Sequence, residues 1–188
     1  YKSAINPETD FKRFFGWFDL MEDQERRDRE KRRDFNYSSP VLNAVRRALS
    51  EVVDCYRNPR IETRPLRFIM DRIDDDGSTH ELRIEQLSEG YKIVIAMVAD
   101  LAARMAEANP GMDNPLNTTG IVLIDEVDLH LHPRWQREIL LQLTRVFPNI
   151  QFIVSTHSPV IVVGAAEIAQ IVNLNNINED ENLIHENV

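Results

Sequence analysis

The sequence predicts an α/β fold in which a mainly parallel sheet is flanked by helices, together with a small helical arm. Two short apolar runs, residues 121–124 and 152–154, have the composition of strands buried on both faces of a parallel sheet. Between them, the segment Pro133–Val146 has a helical apolar pattern and begins with proline, which suits the first position of a helix. This strand–helix–strand order implies a right-handed parallel crossover.

Composition bounds the class of protein. The 188 residues are enough for about one domain, and a hydrophobic content of 43% is enough for a core. With 31 acidic and 22 basic residues the net charge is −9, which argues against a protein that coats nucleic acid but permits a local basic patch. The single cysteine, Cys55, excludes a disulfide framework and fits a reducing cytoplasm. Because no apolar stretch reaches the ~18 residues of a membrane span, we expect a cytoplasmic protein without a membrane partner.

Residues 1–87 are predicted to form an arm made of helices and a hairpin. Aromatic residues at helical spacing predict a helix over 7–20. A run of six basic and six acidic residues follows at 22–34. We interpret this run as a solvated helix or a mobile connector, with a contact to nucleic acid or to a partner as the alternative.

The rest of the arm is predicted to contain a second helix and two strands. The helix starts with Ser39 as its cap and ends at residues 58–59, Asn-Pro. Strands are expected at 66–70 and 81–84, joined by a turn at 74–77. The three consecutive aspartates of this turn also suggest a cation, but calcium loops alternate their ligands, which favours a plain turn.

Residues 88–188 are expected to form the C-terminal half of the main domain. A buried helix over 88–108 precedes the strand–helix–strand unit, and residues 168–174 and 183–184 are predicted to close the domain as a hairpin. The chain begins with tyrosine rather than methionine, so we expect it to be a piece of a longer protein.

Two acidic residues follow the first parallel strand directly. Asp125 and Glu126 would therefore lie at the carboxyl edge of the sheet, where α/β proteins bind their ligands. A carboxylate at the first position suits a hydrated magnesium ion. A carboxylate at the second can orient and deprotonate a water molecule, although a strand that ends in two acids is also compatible with a purely structural role.

Two further segments suggest the same kind of site. His157 follows the second parallel strand and would lie at the same edge, where an imidazole can donate to a phosphate oxygen or simply serve the structure. Ser88 and Gly90 stand at the start of the buried helix. There a serine cap, a close backbone approach and the helix dipole would together suit an anion, or the serine is only a cap.

Together these segments resemble the ABC-type ATPases. Residues 87–92, Leu-Ser-Glu-Gly-Tyr-Lys, are similar to the ABC signature; residues 121–126 are similar to Walker B with its glutamate; residues 155–159 are similar to the switch-histidine loop. The Asp-Leu-His-Leu-His-Pro run at 128–133 resembles stand-alone ATPases related to SMC, RecF and OLD proteins rather than transporters. The aromatic helix and the second helix look most like the antiphage PtuA type of Septu and retron systems.

The resemblance covers residues 85–173 and implies a P-loop ATPase of the ABC head type that uses ATP and Mg²⁺. It implies a head-to-tail homodimer with ATP between the subunits. The resemblance assigns Asp125 to magnesium, Glu126 and His157 to catalysis, and a set of signature residues to the nucleotide of the other subunit. That set is Ser88, Glu89, Gly90 and Lys92.

The chain departs from the family pattern in two places. None of its six glycines has the Gly-x4-Gly-Lys-Ser/Thr spacing of Walker A, so we expect the phosphate-binding loop upstream of Tyr1. Where transport ATPases carry an aspartate in the D-loop, this chain has His132. With Asp128 and His130, His132 also permits a zinc site on an extended segment as an alternative to an interface loop.

The family resemblance implies a conformational switch that acts on something else. In the complete protein, ATP would join the two subunits and hydrolysis would release them, and this cycle would control an effector such as a nuclease subunit in antiphage defence. The alternative is a repair or recombination ATPase of the RecF/SMC kind that acts on DNA directly, and a scaffold that binds ATP without turnover is disfavoured by Glu126.

Overall fold

The computed structural model describes residues 7–53 and 55–174. Two helices and three strands come first, and helices and strands then alternate from residue 89 onwards. The helices are α1 Pro7–Arg32, α2 Pro40–Val52, α3 Glu89–Ala108, α4 Pro133–Val146 and α5 Pro159–Ala165, and the strands are β1 Tyr56–Thr63, β2 Leu66–Ile73, β3 Thr79–Arg83, β4 Gly120–Ile124 and β5 Ile150–Val154.

The strands form two separate sheets. The first is antiparallel with the order β1-β2-β3, and the second is the parallel pair β4-β5 with α4 as its crossover. The predicted α/β class is therefore confirmed. The parallel sheet of the described residues has two strands, while the other three belong to the hairpins of the arm, whose turns are too short for a parallel crossover.

Two predictions for the arm are confirmed, the cap of the second helix and the turn at residues 74–77. The N–H of Leu42 donates to the Ser39 hydroxyl at 3.4 Å, as expected of an N-cap. The turn between β2 and β3 closes with the Gly77 N–H donating to the Asp74 carbonyl, and Gly77 has a φ of 82°, which glycine adopts without strain.

The expected end of the second helix at residues 58–59 is wrong. The helix ends at Val52, and Asn58 and Pro59 lie inside β1. The register of β1 with β2 shifts between Arg57 and Arg60, and Asn58 has a φ of 54°. A bulge of this kind tolerates proline, since the strand loses no ladder hydrogen bond there.

The charged run is helical as far as Arg32 and mostly exposed, as expected of a solvated helix, but two of its glutamates are buried. It continues α1, and Glu22 and Glu25 are only 6% and 2% exposed. The guanidinium of Arg46 on α2 lies 2.8 Å from Glu22 Oε1 and 3.0 Å from Glu25 Oε2. The Ile61 N–H of β1 donates to Glu22 Oε2 at 3.1 Å. The two carboxylates therefore join α1 to α2 and to the antiparallel sheet.

One hydrophobic core runs through the described chain. In the arm, the rings of Phe14, Phe18 and Phe68 pack with centroids 5.4–5.6 Å apart. The same cluster continues through α3 to Ile139 and Ile161 of α4 and α5. The antiparallel sheet is therefore packed on the same core that supports the parallel pair.

The expectation that β4 and β5 are buried on both faces is wrong. Val122, Phe152 and Val154 face the core, but Ile121 and Leu123 are 64% and 74% exposed. Ile153 of β5 is 49% exposed. Among residues 7–53 and 55–174, no helix or strand covers this outer face.

The predicted closing hairpin is not formed over the part of it that is described. After α5 the chain makes turns and then continues without a strand through residues 168–174, since no strand pairs with it in the described residues. The second predicted strand, 183–184, lies outside the described residues. None of the helices described is long and apolar enough to cross a membrane.

Close packing of α5 on α4 depends on Gly164. A Cβ added there would lie 2.3 Å from the Arg137 carbonyl oxygen, whereas a Cβ at Gly16 on α1 would meet nothing within 4 Å. We expect Gly164→Ala to lower the free energy of unfolding by about 1–3 kcal/mol through overpacking. Gly16→Ala, the matched control, should raise it by about 0.5–1 kcal/mol. Urea denaturation of the two variants measures both, and equal effects would contradict the packing.

The buried carboxylate of Glu25 makes stability depend on pH. Burial raises its pKa, but the Ser39 N–H, the Arg46 charge and the Ser38 hydroxyl outweigh burial and bring the pKa of Glu25 below its ordinary value. A lowered pKa contributes stability that is complete above the ordinary carboxyl pKa and is lost as the pH falls through the folded-state value.

We therefore expect Glu25→Gln to cost about 3 kcal/mol at neutral pH and to weaken the loss of stability in acid. Glu51→Gln breaks an exposed pair with Arg47 and should cost less than about 0.5 kcal/mol. Denaturation curves recorded across the acid range make the comparison, and a full acid dependence in Glu25→Gln would show that other groups dominate it.

Candidate functional site at the carboxyl edge of the parallel pair

The two parallel strands end at the same level. Ile124 of β4 is paired with Val154 of β5, so the residues that follow each strand emerge side by side. Asp125 and Glu126 are the first two residues after β4, and His157 is the third residue after β5. The structure therefore brings three of the predicted site residues to one edge, and all three are exposed to solvent.

Ser155 joins the two strand ends. Its N–H donates to the Ile124 carbonyl at 2.9 Å, and its carbonyl accepts from the Val127 N–H at 3.0 Å. Its hydroxyl accepts from the Glu126 N–H at 2.8 Å and donates to Asp125 Oδ1. One residue after β5 therefore contacts the last residue of β4 and the three residues that follow it.

The backbone at Glu126 is in an unusual conformation. Its φ is 49°, in the left-handed region, which costs a residue with a side chain roughly 1–2 kcal/mol. Such conformations persist where the surrounding contacts define them and are found often at functional sites. Here the hydrogen bond from Glu126 to Ser155 is one of those contacts.

Asp128 holds the loop that carries His157. Its Oδ1 accepts from the Thr156 hydroxyl and from the His157 N–H, the latter at 3.3 Å. Gln136 of α4 donates to the Asp128 carbonyl at 3.3 Å and accepts from the Ser158 hydroxyl at 2.8 Å. The loops after β4 and β5 are thus linked by side chains as well as by strand pairing.

Sequence reasoning assigned no such role to Ser155, Asp128 or Gln136. The available signal was weak: a short polar residue directly after a parallel strand often bonds to the neighbouring strand end. Their partners lie up to 30 residues away in sequence, so only the strand pairing identifies them.

The signature segment forms the start of α3. Ser88 occupies the N-cap position as predicted, but its hydroxyl makes no capping hydrogen bond. Glu89 and Lys92 form an exposed ion pair at 2.9 Å. Within the part of the chain that the structure describes, no hydrogen bond or ion pair links this segment to Asp125, Glu126 or His157.

The packing of Trp135 against α3 explains why position 90 is a glycine. It is buried, and an added Cβ would lie 3.2 Å from Cδ1 of Trp135 on α4. The small residue therefore lets α3 approach the indole ring. This packing reason exists whether or not the backbone at Gly90 also approaches a ligand.

The residues of the zinc alternative are not assembled as a metal site. No group of three potential ligands is found in residues 7–53 and 55–174. Asp128 is occupied by the His157 loop, and His132 caps α4 by accepting from the Arg134 N–H at 3.3 Å. His130 turns the chain with a φ of 61°. The histidines of this run therefore shape the start of α4.

The donor set at Asp125 fits magnesium better than zinc. One carboxylate oxygen accepts from Ser155, which leaves the other oxygen available at an exposed edge. Magnesium is commonly bound through one or two carboxylates together with water and phosphate oxygens. A single available carboxylate therefore fits magnesium, which takes its remaining ligands from water or phosphate oxygens.

Most of the chain matches a known family. The model for the AAA domain described as "putative AbiEii toxin, Type IV TA system" matches residues 8–163, and the chain belongs to this family. The match spans the arm, α3 and both parallel strands. The family assignment therefore includes every site residue named above.

Individual relatives are more specific than the family match. The chain is 43% identical over 125 residues to the Retron Ec83 probable ATPase of Escherichia coli, covering 66% of this chain and 22% of that protein. It is 43% identical over 139 residues to the Septu protein PtuA of Bacillus mycoides, covering 69% and 19%. The predicted resemblance to ATPases of this type is confirmed. The chain spans about a fifth of the length of these relatives.

Among solved structures, the chain is similar to the SMC head domain from Thermotoga maritima. The TM-score is 0.48 at 19% identity, and the likeness covers 69% of this chain and 41% of that one.

The Asp128 contacts can be tested separately from any activity. Asp128→Ala removes the acceptor of the Thr156 hydroxyl and the His157 N–H and should cost about 1–3 kcal/mol of stability. It should also raise amide hydrogen exchange at residues 156–158. Asp128→Asn keeps an oxygen acceptor and is expected to retain most of the protection. Loss of protection in both variants alike would mean that the carboxylate charge, rather than its geometry, holds the loop.

Proposed function

We propose that the chain is the C-terminal part of an ABC-type ATPase subunit that binds and hydrolyses ATP in a cytoplasmic antiphage defence system. The observation that carries this proposal is the meeting of Asp125, Glu126 and the His157 loop at one edge of a parallel strand pair. Ligands of α/β proteins bind at this edge. Membership of an AAA domain family and the names of the retron and Septu relatives support the same conclusion.

The site residues divide the chemistry between them. Glu126, exposed beyond β4, would orient a water molecule and accept its proton. Asp125 would hold a magnesium ion through the oxygen that Ser155 leaves free. Magnesium, when bound with ATP, neutralises charge on the phosphates during transfer. His157 would donate to a phosphate oxygen from the neighbouring loop.

We assign the signature segment to a second subunit's nucleotide. The first-turn N–H groups of α3 have no partner within the helix, and the Ser88 hydroxyl does not cap them. Such a helix start attracts phosphate. Ser88, Glu89, Gly90 and Lys92 would therefore contact the ATP of the opposite subunit in a head-to-tail dimer. The absence of bonds between this segment and the described carboxylate edge is compatible with that division.

The phosphate-binding loop would come from further polypeptide. None of the six glycines of the sequence provides a Walker A motif. The exposed outer face of β4 and β5, with Ile121 and Leu123, is the surface on which additional strands of such a lobe would pack. In this proposal residues 1–87 form the arm and residues 88–188 complete the head.

The ATP cycle would control another protein. ATP would hold the dimer closed, and hydrolysis would release it, which changes the surface presented to an effector such as a nuclease subunit. Sequence similarity to ATPases and proteins of retron and Septu systems favours this function over that of a repair or recombination ATPase. The latter would bind DNA directly, with an affinity that falls steeply as salt rises.

Hydrolysis is tested at Glu126 in the complete protein. Glu126→Gln keeps the size of the side chain but removes the base, so ATP binding should persist while turnover falls at least about a hundredfold. The ATP-bound dimer should accumulate, as measured by size-exclusion chromatography with ATP. Turnover at the wild-type rate would remove Glu126 from the mechanism.

The shared site is tested by mixing subunits. Ser88→Arg puts a cation where the opposite γ-phosphate would lie, so this variant and Glu126→Gln should each be inactive alone. A dimer that combines one of each has one site with both lesions and one intact site, and ATPase activity should return in part.

A matched control carries the same two substitutions on one subunit, paired with a wild-type subunit. Each site then has one lesion, so this dimer should stay inactive. Equal activities of the two mixed dimers, both verified by native mass spectrometry, would contradict a site built from two subunits.

A further inference from the structure

We propose that Ser155 is the positioning residue of this site, setting the conformation of Glu126 and the orientation of Asp125. The inference depends on the proposed function for what the two carboxylates do, but the contacts that support it are independent of any ligand. Ser155 itself would not touch the reacting atoms. It would act through the two residues to which its hydroxyl is bonded.

The Ser155 hydroxyl is both an acceptor and a donor of hydrogen bonds. It accepts from the Glu126 N–H and donates its only proton to Asp125 Oδ1. A serine or threonine hydroxyl can fill both roles at once, whereas alanine fills neither and the carboxylate of aspartate cannot donate. The position therefore requires a short side chain with a hydroxyl.

The acceptor half of this contact stabilises the left-handed turn. Glu126 has a φ of 49°, which places its side chain where a right-handed residue could not place it. The backbone bonds of Ser155 to Ile124 and Val127 hold the turn on either side, but only the hydroxyl reaches the Glu126 N–H. Without it, Glu126 is free to relax to the favoured region and to move its carboxylate.

The donor half selects which oxygen of Asp125 is available. With Oδ1 bonded to Ser155, the carboxylate cannot rotate freely, and its second oxygen is the one left for a cation. Small displacements of a ligating or catalytic group lower rates strongly, since catalysis depends on near-attack geometry. A single hydroxyl would therefore align the metal ligand and the base together.

The test compares three variants of the complete protein. Ser155→Ala removes the hydroxyl, and Ser155→Thr retains it. The matched control is Ser38→Ala, which also removes a serine-to-carboxylate hydrogen bond, to Glu25 at 3.0 Å, but in the arm. Two readouts are needed: steady-state ATPase kinetics with varied Mg²⁺, and hydrogen exchange of the backbone amides at residues 124–127.

We expect Ser155→Ala to lower kcat about ten- to a hundredfold with little change in KM for ATP, and to raise the Mg²⁺ concentration for half-maximal rate. Its Glu126 amide should exchange at least about tenfold faster, while amides of α3 keep their protection. Ser155→Thr should restore kcat and protection to within about threefold. Ser38→Ala should change neither kcat nor the protection of the amides at residues 124–127.

The outcomes separate this inference from the proposed function. If Glu126→Gln is inactive but Ser155→Ala keeps the wild-type kcat, the function stands and the positioning role is wrong. Unchanged exchange at Glu126 in Ser155→Ala overturns it as well, even where the rate falls. If the wild-type protein hydrolyses no ATP, the proposed function fails, and the exchange comparison alone decides whether Ser155 holds the turn.

Discussion

The register of the parallel pair is the constraint on which the site depends. Because Ile124 lies opposite Val154, the first residues beyond each strand meet, and Ser155 can bond to the whole turn after β4. A slip of one residue would turn every side chain of a strand to the opposite face. It would bury Ile121 and Leu123, expose Val122 and Ile124, and separate the carboxylates from their partner. Core packing on one face therefore also sets the geometry at the edge.

Much of the fold could be predicted from the sequence, because the relevant signals are local. The apolar spacing of α2 and α4, the cap at Ser39 and the turn at Gly77 depend on residues within a few positions of one another. The placement of Asp125, Glu126 and His157 at one edge follows from two strands and a crossover helix. A strand that ends in two acids and a later strand that ends in a polar loop are visible in the sequence alone.

The features that could not be predicted depend on partners distant in sequence. The sequence predicts that Glu22 is solvated, because it lies in a run of charges. In the structure it is a buried ion-pair partner of Arg46, 24 residues later. In the sequence, Asn58 and Pro59 predict the end of a helix. Their place in a β-bulge is visible only from the pairing of β1 with β2. The same holds for Ser155. The open face of the parallel pair misled the prediction differently, since an apolar strand gives no indication of which neighbour covers it.

The exposed face of β4 and β5 has a practical consequence for the chain in isolation. In the part of the chain that the structure describes, β4 and β5 pair only with each other and leave isoleucine and leucine side chains exposed. Such strands are a template for pairing with another copy of themselves. The net charge of −9 opposes such association through repulsion, and salt weakens that repulsion. Colloidal behaviour of the isolated chain is therefore governed by the balance between this sheet surface and the acidic character of the rest. Conditions of low ionic strength favour a dispersed sample.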